Sequence, residues 1–196
     1  MIIERPFRGF RTIALAHHKN YAVSLSAISG IGLTFSVFWV IKAGEYAESL
    51  VHLLTAGIVS GFPVGMIIVL LMSLSITAVA RALGTYVRIR DAYSIVAYSL
   101  VPIILTVLLL LPIEVLTFGL FFFTRNPSPY LLKPLSYIVL IGLDGAFTLW
   151  SLMLLLIGIT VLLDGKWLKS VTIAFLALCL VVGISVAILR IMFPQV

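Results

Sequence analysis

Five apolar stretches, residues 21–41, 62–83, 93–111, 135–163 and 167–191, take up most of a chain of 196 residues. A helix rises about 1.5 Å per residue and the hydrocarbon core of a bilayer is roughly 30 Å thick, so about 20 apolar residues cross it. Each stretch is long enough. Spanning β-strands would be about 10 residues of alternating polarity, and runs such as residues 103–111 do not alternate. Hydrophobic residues make up 62% of the chain and charged residues 10%, too few polar groups to clothe a water-soluble core of this size. The expected fold is an all-α polytopic membrane protein, a bundle of five transmembrane helices.

Orientation follows from the lysines and arginines on alternating sides. Arg5, Arg8, Arg11 and Lys19 precede the first span, Arg81, Arg88 and Arg90 follow the second, and Lys166 and Lys169 follow the fourth. The opposite side receives Lys42, Arg125, Lys133 and Arg190. Nine against four places the N-terminus in the cytoplasm and the C-terminus outside, in the plasma membrane. The net charge of +6 is then mostly a cytoplasmic rim facing anionic headgroups, and nucleic acid is not an expected partner. Residues 1–20 read as a basic interfacial arm rather than a cleavable signal. Their charges extend to Lys19 and no small-residue cleavage pattern follows. Ile2, Ile3, Phe7 and Phe10 are available to the headgroup boundary.

Small residues recur every four positions: Ala22, Ser26, Gly30 and Thr34; Gly57, Gly61 and Gly65; Cys179, Gly183 and Ala187. Such ridges let helices approach closely where lipid offers no hydrophobic driving force. Intramolecular packing is the first expectation, and Gly57–Gly61–Gly65 is the best candidate for a dimer face. Glu45, Glu48 and His52, opposite Leu50, Leu53, Leu54 and Ile58, suggest a short amphipathic helix on the outer surface. The third span carries Pro102 about 16 Å beyond Asp91, near mid-bilayer. Proline removes one helix hydrogen bond and clashes with the carbonyl four residues back, here Tyr98. A kink is expected there, a second effect at Pro112, and a bend of residues 113–123 along or back into the outer interface.

Little chemistry is available inside the membrane. The spans hold no histidine, which argues against a b-type haem or a histidine proton relay. Ser73, Ser75 and Ser99 have no neighbouring base to activate them. His17 and His18 beside Lys19 read as an interfacial cluster, and Glu48 with His52 is an incomplete metal set. Cys179, the single cysteine, excludes a disulfide within one chain. The chain is expected to be no enzyme and to need no cofactor or metal. Glu114 and Asp144 are the exception to this apolar interior, a candidate intramembrane polar site near the outer leaflet. Pairing with Arg125 or Lys133, or access to water, is the plain reading. A conduit for a small solute or ion is the alternative.

Arg90-Asp91-Ala92-Tyr93-Ser94, followed by Ala97-Tyr98-Ser99-Leu100-Val101-Pro102, resembles the Yip domain (Ypt/Rab-interacting protein) family, where a Gly-Tyr-(Ser/Ala)-x-x-Pro run opens the third helix. The stretch from Asp144 through Trp150 and Ser151 to Gly158 is similar to the family's Trp-Ser-Leu-x-Leu-x-x-x-Gly helix. The resemblance covers residues 21–191 in topology and the second half of the chain in motif. It implies five transmembrane helices with a cytoplasmic N-terminus, residues 21–196 forming the domain. It also implies a non-enzymatic role among other membrane proteins, with Tyr98, Ser99, Pro102, Trp150 and Gly158 as packing or partner residues. Ala97 replaces the usual glycine, and the long N-terminal region and Asp-Leu-Tyr-Gly-Pro motif of eukaryotic members are missing. These departures count against a small-GTPase partner and favour a prokaryotic-type member. The expected function is an accessory or scaffold subunit of a larger membrane assembly, with an ABC-type exporter or a trafficking-like complex as candidates. Its partners would be the lipid bilayer and a membrane protein or a second copy.

Overall fold

A bilayer demands that backbone polar groups be satisfied within the protein, and the computed structural model is built of helices. It describes residues 9–10 and 21–192, with side chains as far as Ile184. Among the described residues from Tyr21 on, eight α-helices follow in order: α1 (Tyr21–Ile41), α2 (Leu50–Ala82), α3 (Ile89–Ser99), α4 (Val101–Leu105), α5 (Leu111–Phe118), α6 (Pro129–Leu132), α7 (Pro134–Leu162) and α8 (Trp167–Met192). A π-helical turn, Thr106–Leu110, joins α4 to α5, and 3₁₀ turns cover Ala43–Glu45 and Gly119–Phe123. Five described segments are long and apolar enough to cross a membrane: Tyr21–Ile41, Leu50–Ala82, Ile89–Phe123, Pro134–Leu162 and Trp167–Ile184.

Two expected features are corrected. No separate amphipathic helix precedes the second span. Ser49 caps α2 by accepting the His52 N–H at 3.1 Å, and the helix then runs 33 residues from Leu50. The glycines explain why: they fall on the α1-facing stripe, so residues 50–61 are held by packing and not by the interface. The second correction is Phe10, which is fully buried and not at the headgroup boundary. The rest of the arm, including Arg5, Arg8, Arg11, His17, His18 and Lys19, lies outside the described residues, as do the side chains of Ala187 and Arg190.

The chain divides into two compact units. The first, Asn20–Ile67 with Ala97–Met153, has a core of Ile31, Phe35, Leu53, Leu110, Phe118, Phe122, Phe123 and Leu140. Here α1 and α2 meet backbone to backbone. A Cβ on Gly30 would collide with the Gly61 carbonyl and the Gly65 backbone, and one on Gly65 with the Ser26 carbonyl. Gly57 admits the Phe35 ring, 2.6 Å from where its Cβ would stand. Gly57–Gly61–Gly65 is therefore consumed within the chain and is not a dimer face.

The second unit gathers Ile68–Val96 and Leu154–Val196, and Phe10 belongs to it. Its core includes Val69, Ile76, Ile95, Leu154, Ile159 and Ile173. Its buried hydroxyls bond to their own helices, Thr77 to the Ser73 carbonyl at 2.8 Å and Ser170 to that of Lys166 at 2.9 Å, which satisfies them without water.

Candidate functional site

The third span is irregular because its prolines make it so. Helix α3 ends at Ser99, Leu100 leaves helical geometry at ψ 3°, and Pro102 opens α4. Pro102 has no N–H for the Tyr98 carbonyl, and beside that break Ser151 Oγ on α7 donates to the Ser99 carbonyl at 2.8 Å. Pro112 has a parallel effect. It has no N–H for the Leu108 carbonyl, and the turn before it widens so that the Leu111 N–H reaches the Thr106 carbonyl five residues back. Beyond α5, Gly119 adopts φ 59°, a left-handed value that glycine tolerates freely. The chain doubles back there, burying Phe122 and Phe123 against Phe35. Residues 113–123 thus do not continue as one straight helix.

This broken span opens a cavity of about 290 Å³ in the first unit. Thr106, Val107, Leu111 and Glu114 line it from the third span, Phe35, Ser36 and Trp39 from α1, and Asp144 and Thr148 from α7. Glu114 is 3% exposed. Among the described residues, three buried side-chain polar atoms lack a hydrogen-bond partner: Thr34 Oγ1, Trp39 Nε1 and Glu114 Oε1. Two of the three belong to residues lining this one cavity. Native interiors keep such atoms few because each costs about 1–3 kcal/mol, which makes this cavity the candidate site.

The ion pairs expected for these carboxylates are not formed among the described residues. Lys133 Nζ reaches the Thr117 carbonyl at 3.4 Å, and the Arg125 backbone N–H donates to Glu45 Oε1 at 2.9 Å. Lys42 lies over the Trp39 ring, 4.5 Å from its centre. Burial, and then the charge of Arg125, hold the Lys42 ammonium below the usual lysine pKa, against the opposing pull of Glu45. No three His, Cys, Asp or Glu side chains among the described residues converge to hold a metal.

The motif residues fall in both units. In the first, Tyr98 is half-buried and Ser99 and Pro102 are buried, while Trp150 stacks on Phe147 with centroids 6.1 Å apart. In the second, Gly158 admits Ile95 and Phe10; a Cβ there would collide with the Ile95 side chain and touch the Phe10 ring at 3.4 Å. Arg81, Arg88 and Arg90 are exposed. Sequence reasoning missed Trp39 and Ser151, and it missed a stripe along α7. Leu135, Ile138, Gly142, Gly145, Leu149 and Leu152 are all exposed and alternate spacings of three and four, the signature of one helical seam. A Cβ on Gly142 or Gly145 would meet nothing within 4 Å.

A family model described as Yip1 domain matches residues 2–189. No curated protein and no solved structure matches the chain.

Proposed function

The chain belongs to the Yip1 domain family and is an integral membrane protein, and we propose that it acts as a non-enzymatic accessory or scaffold subunit of a larger membrane assembly. The observation that carries this reading is the α7 seam. Glycines at the centre of an exposed three–four stripe are what a second transmembrane helix needs for close backbone approach, and lipid gains nothing from them. The contrast with α1 and α2 supports it, since their glycines are filled by this chain's own helices. The partner helix belongs to a host such as an ABC-type exporter or to a second copy. A small GTPase finds no support in the described residues.

The orientation that goes with this role is N-terminus in the cytoplasm and C-terminus outside, in the plasma membrane. Exposed Arg81, Arg88, Arg90, Lys166 and Lys169 share one compact unit, while Lys42, Arg125 and Lys133 belong to the other with Glu45 and Glu48. A conduit is the weaker reading. Glu114 and Asp144 both lie in the first unit, and the spans of the second carry hydroxyls bonded to their own helices in place of a chain of ionisable groups.

The test is the size of the particle extracted gently from native membranes, with and without Gly142→Leu. Open space around Gly142 lets the variant fold, so a shift from a large complex to the lone chain supports the reading. A lone chain in the unaltered protein contradicts it.

A further inference from the structure

The cavity of the first unit has more acceptors than donors; the Trp39 indole N–H and the Thr148 hydroxyl are its own donors. Two carboxyl groups line it, Glu114 with an oxygen that nothing in the described structure satisfies. Two of the three lining hydroxyls are already committed. Ser36 donates to the Gly32 carbonyl at 3.0 Å and Thr106 to the Ile103 carbonyl at 2.8 Å, so both present only lone pairs to the cavity. An occupant that brings several N–H groups complements the two carboxyl groups, and the acidic lining favours one that is positively charged.

We propose that this cavity binds a primary ammonium group carried on an amphiphile, the chemistry that an aminophospholipid headgroup presents. An –NH₃⁺ offers three donors and no acceptor, which matches Glu114, Asp144 and the committed hydroxyls. A quaternary ammonium would suit the aromatic walls of Phe35 and Trp39 by cation–π attraction. It has no N–H, however, and would leave Glu114 Oε1 unsatisfied. The unpartnered Trp39 indole N–H takes an acceptor next to the amine, as a phosphate oxygen would be. Apolar lining from Val40, Ile103 and Val107 receives the start of a hydrocarbon chain. At about 290 Å³ the cavity is at the small end of ligand pockets, roughly 300–1,000 Å³, so it holds a headgroup and leaves the acyl chains outside. Gly145 of the α7 seam also borders this cavity, but the two readings have separate tests: lipid retention reads the cavity, and the partner crosslink reads the seam.

The experiment is retention of lipid by the purified full-length protein, read by native mass spectrometry after exchange into mixed micelles. The micelles contain equal phosphatidylethanolamine, phosphatidylcholine and phosphatidylglycerol. The expected result is preferential retention of phosphatidylethanolamine, by about tenfold over each of the others, as a charge-assisted hydrogen-bond set provides. Glu114→Gln and Asp144→Asn should each erase that preference, and Trp39→Phe should weaken it. Glu48→Gln, on the exposed loop, should leave it intact. A second arm adds soluble phosphoethanolamine. Displacement of the lipid by it identifies a soluble amine as the ligand, and failure to displace identifies the lipid. Equal retention of the three lipids, or a preference unchanged in both Glu114→Gln and Asp144→Asn, overturns the proposal. Folding of each variant is checked by its helical circular dichroism and thermal midpoint in the same micelles.

Discussion

Ser151 on α7 donates its hydroxyl to the backbone carbonyl of Ser99, 2.8 Å away and 52 residues earlier. The bond closes the gap that Pro102 opens in the third span, and it does so from a neighbouring helix. Side chains of neighbouring helices that bond backbone groups beside the break are one way a transmembrane helix tolerates proline. Both residues stand in the stretches that resemble the Yip domain, so the resemblance tracks a structural device: a break in one helix and the staple that covers it.

Ser151→Ala removes the staple and leaves a buried carbonyl without this donor. The expected loss is about 1 kcal/mol of stability in bicelles, in the range of interhelical hydrogen bonds within membranes. Pro102→Ala should make the same Ser151→Ala change cheaper, because a continuous helix satisfies its own carbonyls. A double-mutant cycle on unfolding free energy checks this, and additivity of the two changes would rule the coupling out.

Gly30→Ala is expected to be far more harmful than Gly183→Ala. The first places a methyl group on the backbone of Gly61 and Gly65, where no side chain can yield, and the second meets nothing within 4 Å among the described residues. Overpacking of this kind costs about 1–3 kcal/mol or more. Thermal midpoints of the two variants in detergent provide the comparison, and equal midpoints would contradict the α1–α2 contact.

Phe10→Ala should destabilise the protein by about 3 kcal/mol, the usual cost of emptying a buried phenylalanine site. Phe10 is fully buried beside Gly158. Gly158→Leu should have a comparable effect by filling the same space. If Phe10 only brushed the membrane surface, its loss would leave the midpoint unchanged and alter membrane partitioning alone.

Glu114→Leu is expected to raise stability in the absence of ligand, by about 1–3 kcal/mol, because it removes a buried acceptor without a partner. This reverses what an exposed ion pair with Arg125 or Lys133 would predict, namely a loss of about 0–1 kcal/mol. Denaturation of lipid-depleted protein distinguishes the two signs.

Topology is tested by cysteine labelling in a Cys179→Ala background, with single cysteines at Ser128 and Lys166. Lys166 is the better inner site because its neighbour Gly165 has φ 84°, where a side chain would be strained. Ser128 should label from outside and Lys166 only after permeabilisation; labelling of both from one side contradicts the five-span arrangement.

The first span was readable to the residue, Tyr21 to Ile41, because its apolar run is bounded by Asn20 and Lys42. The second was read about a dozen residues short. Gly57 and Gly61 look like breakers in isolation, yet they are the contact that holds α2 to α1. Proline chemistry located the break in the third span, but the bond from Ser151 on α7 to the Ser99 carbonyl joins distant stretches and has no local pattern. Glu114 and Asp144 were visible as the carboxylates deep in apolar sequence. That they share a cavity with Trp39 was not, since the doubling back at Gly119 brings distant residues together and leaves no local pattern. The α7 seam did leave one, in the alternating spacing from Leu135 to Leu152. It was hidden by a helix apolar on every side.

The central claim, that α7 seats a partner helix, is tested most directly by a photo-crosslinking amino acid at Leu149. This residue is 64% exposed and in line with Gly142 and Gly145. Irradiated in native membranes, it should join the chain to one discrete protein, and Gly142→Leu should abolish that product while the chain remains inserted. Crosslinks to lipid alone, unchanged by Gly142→Leu, would contradict the account.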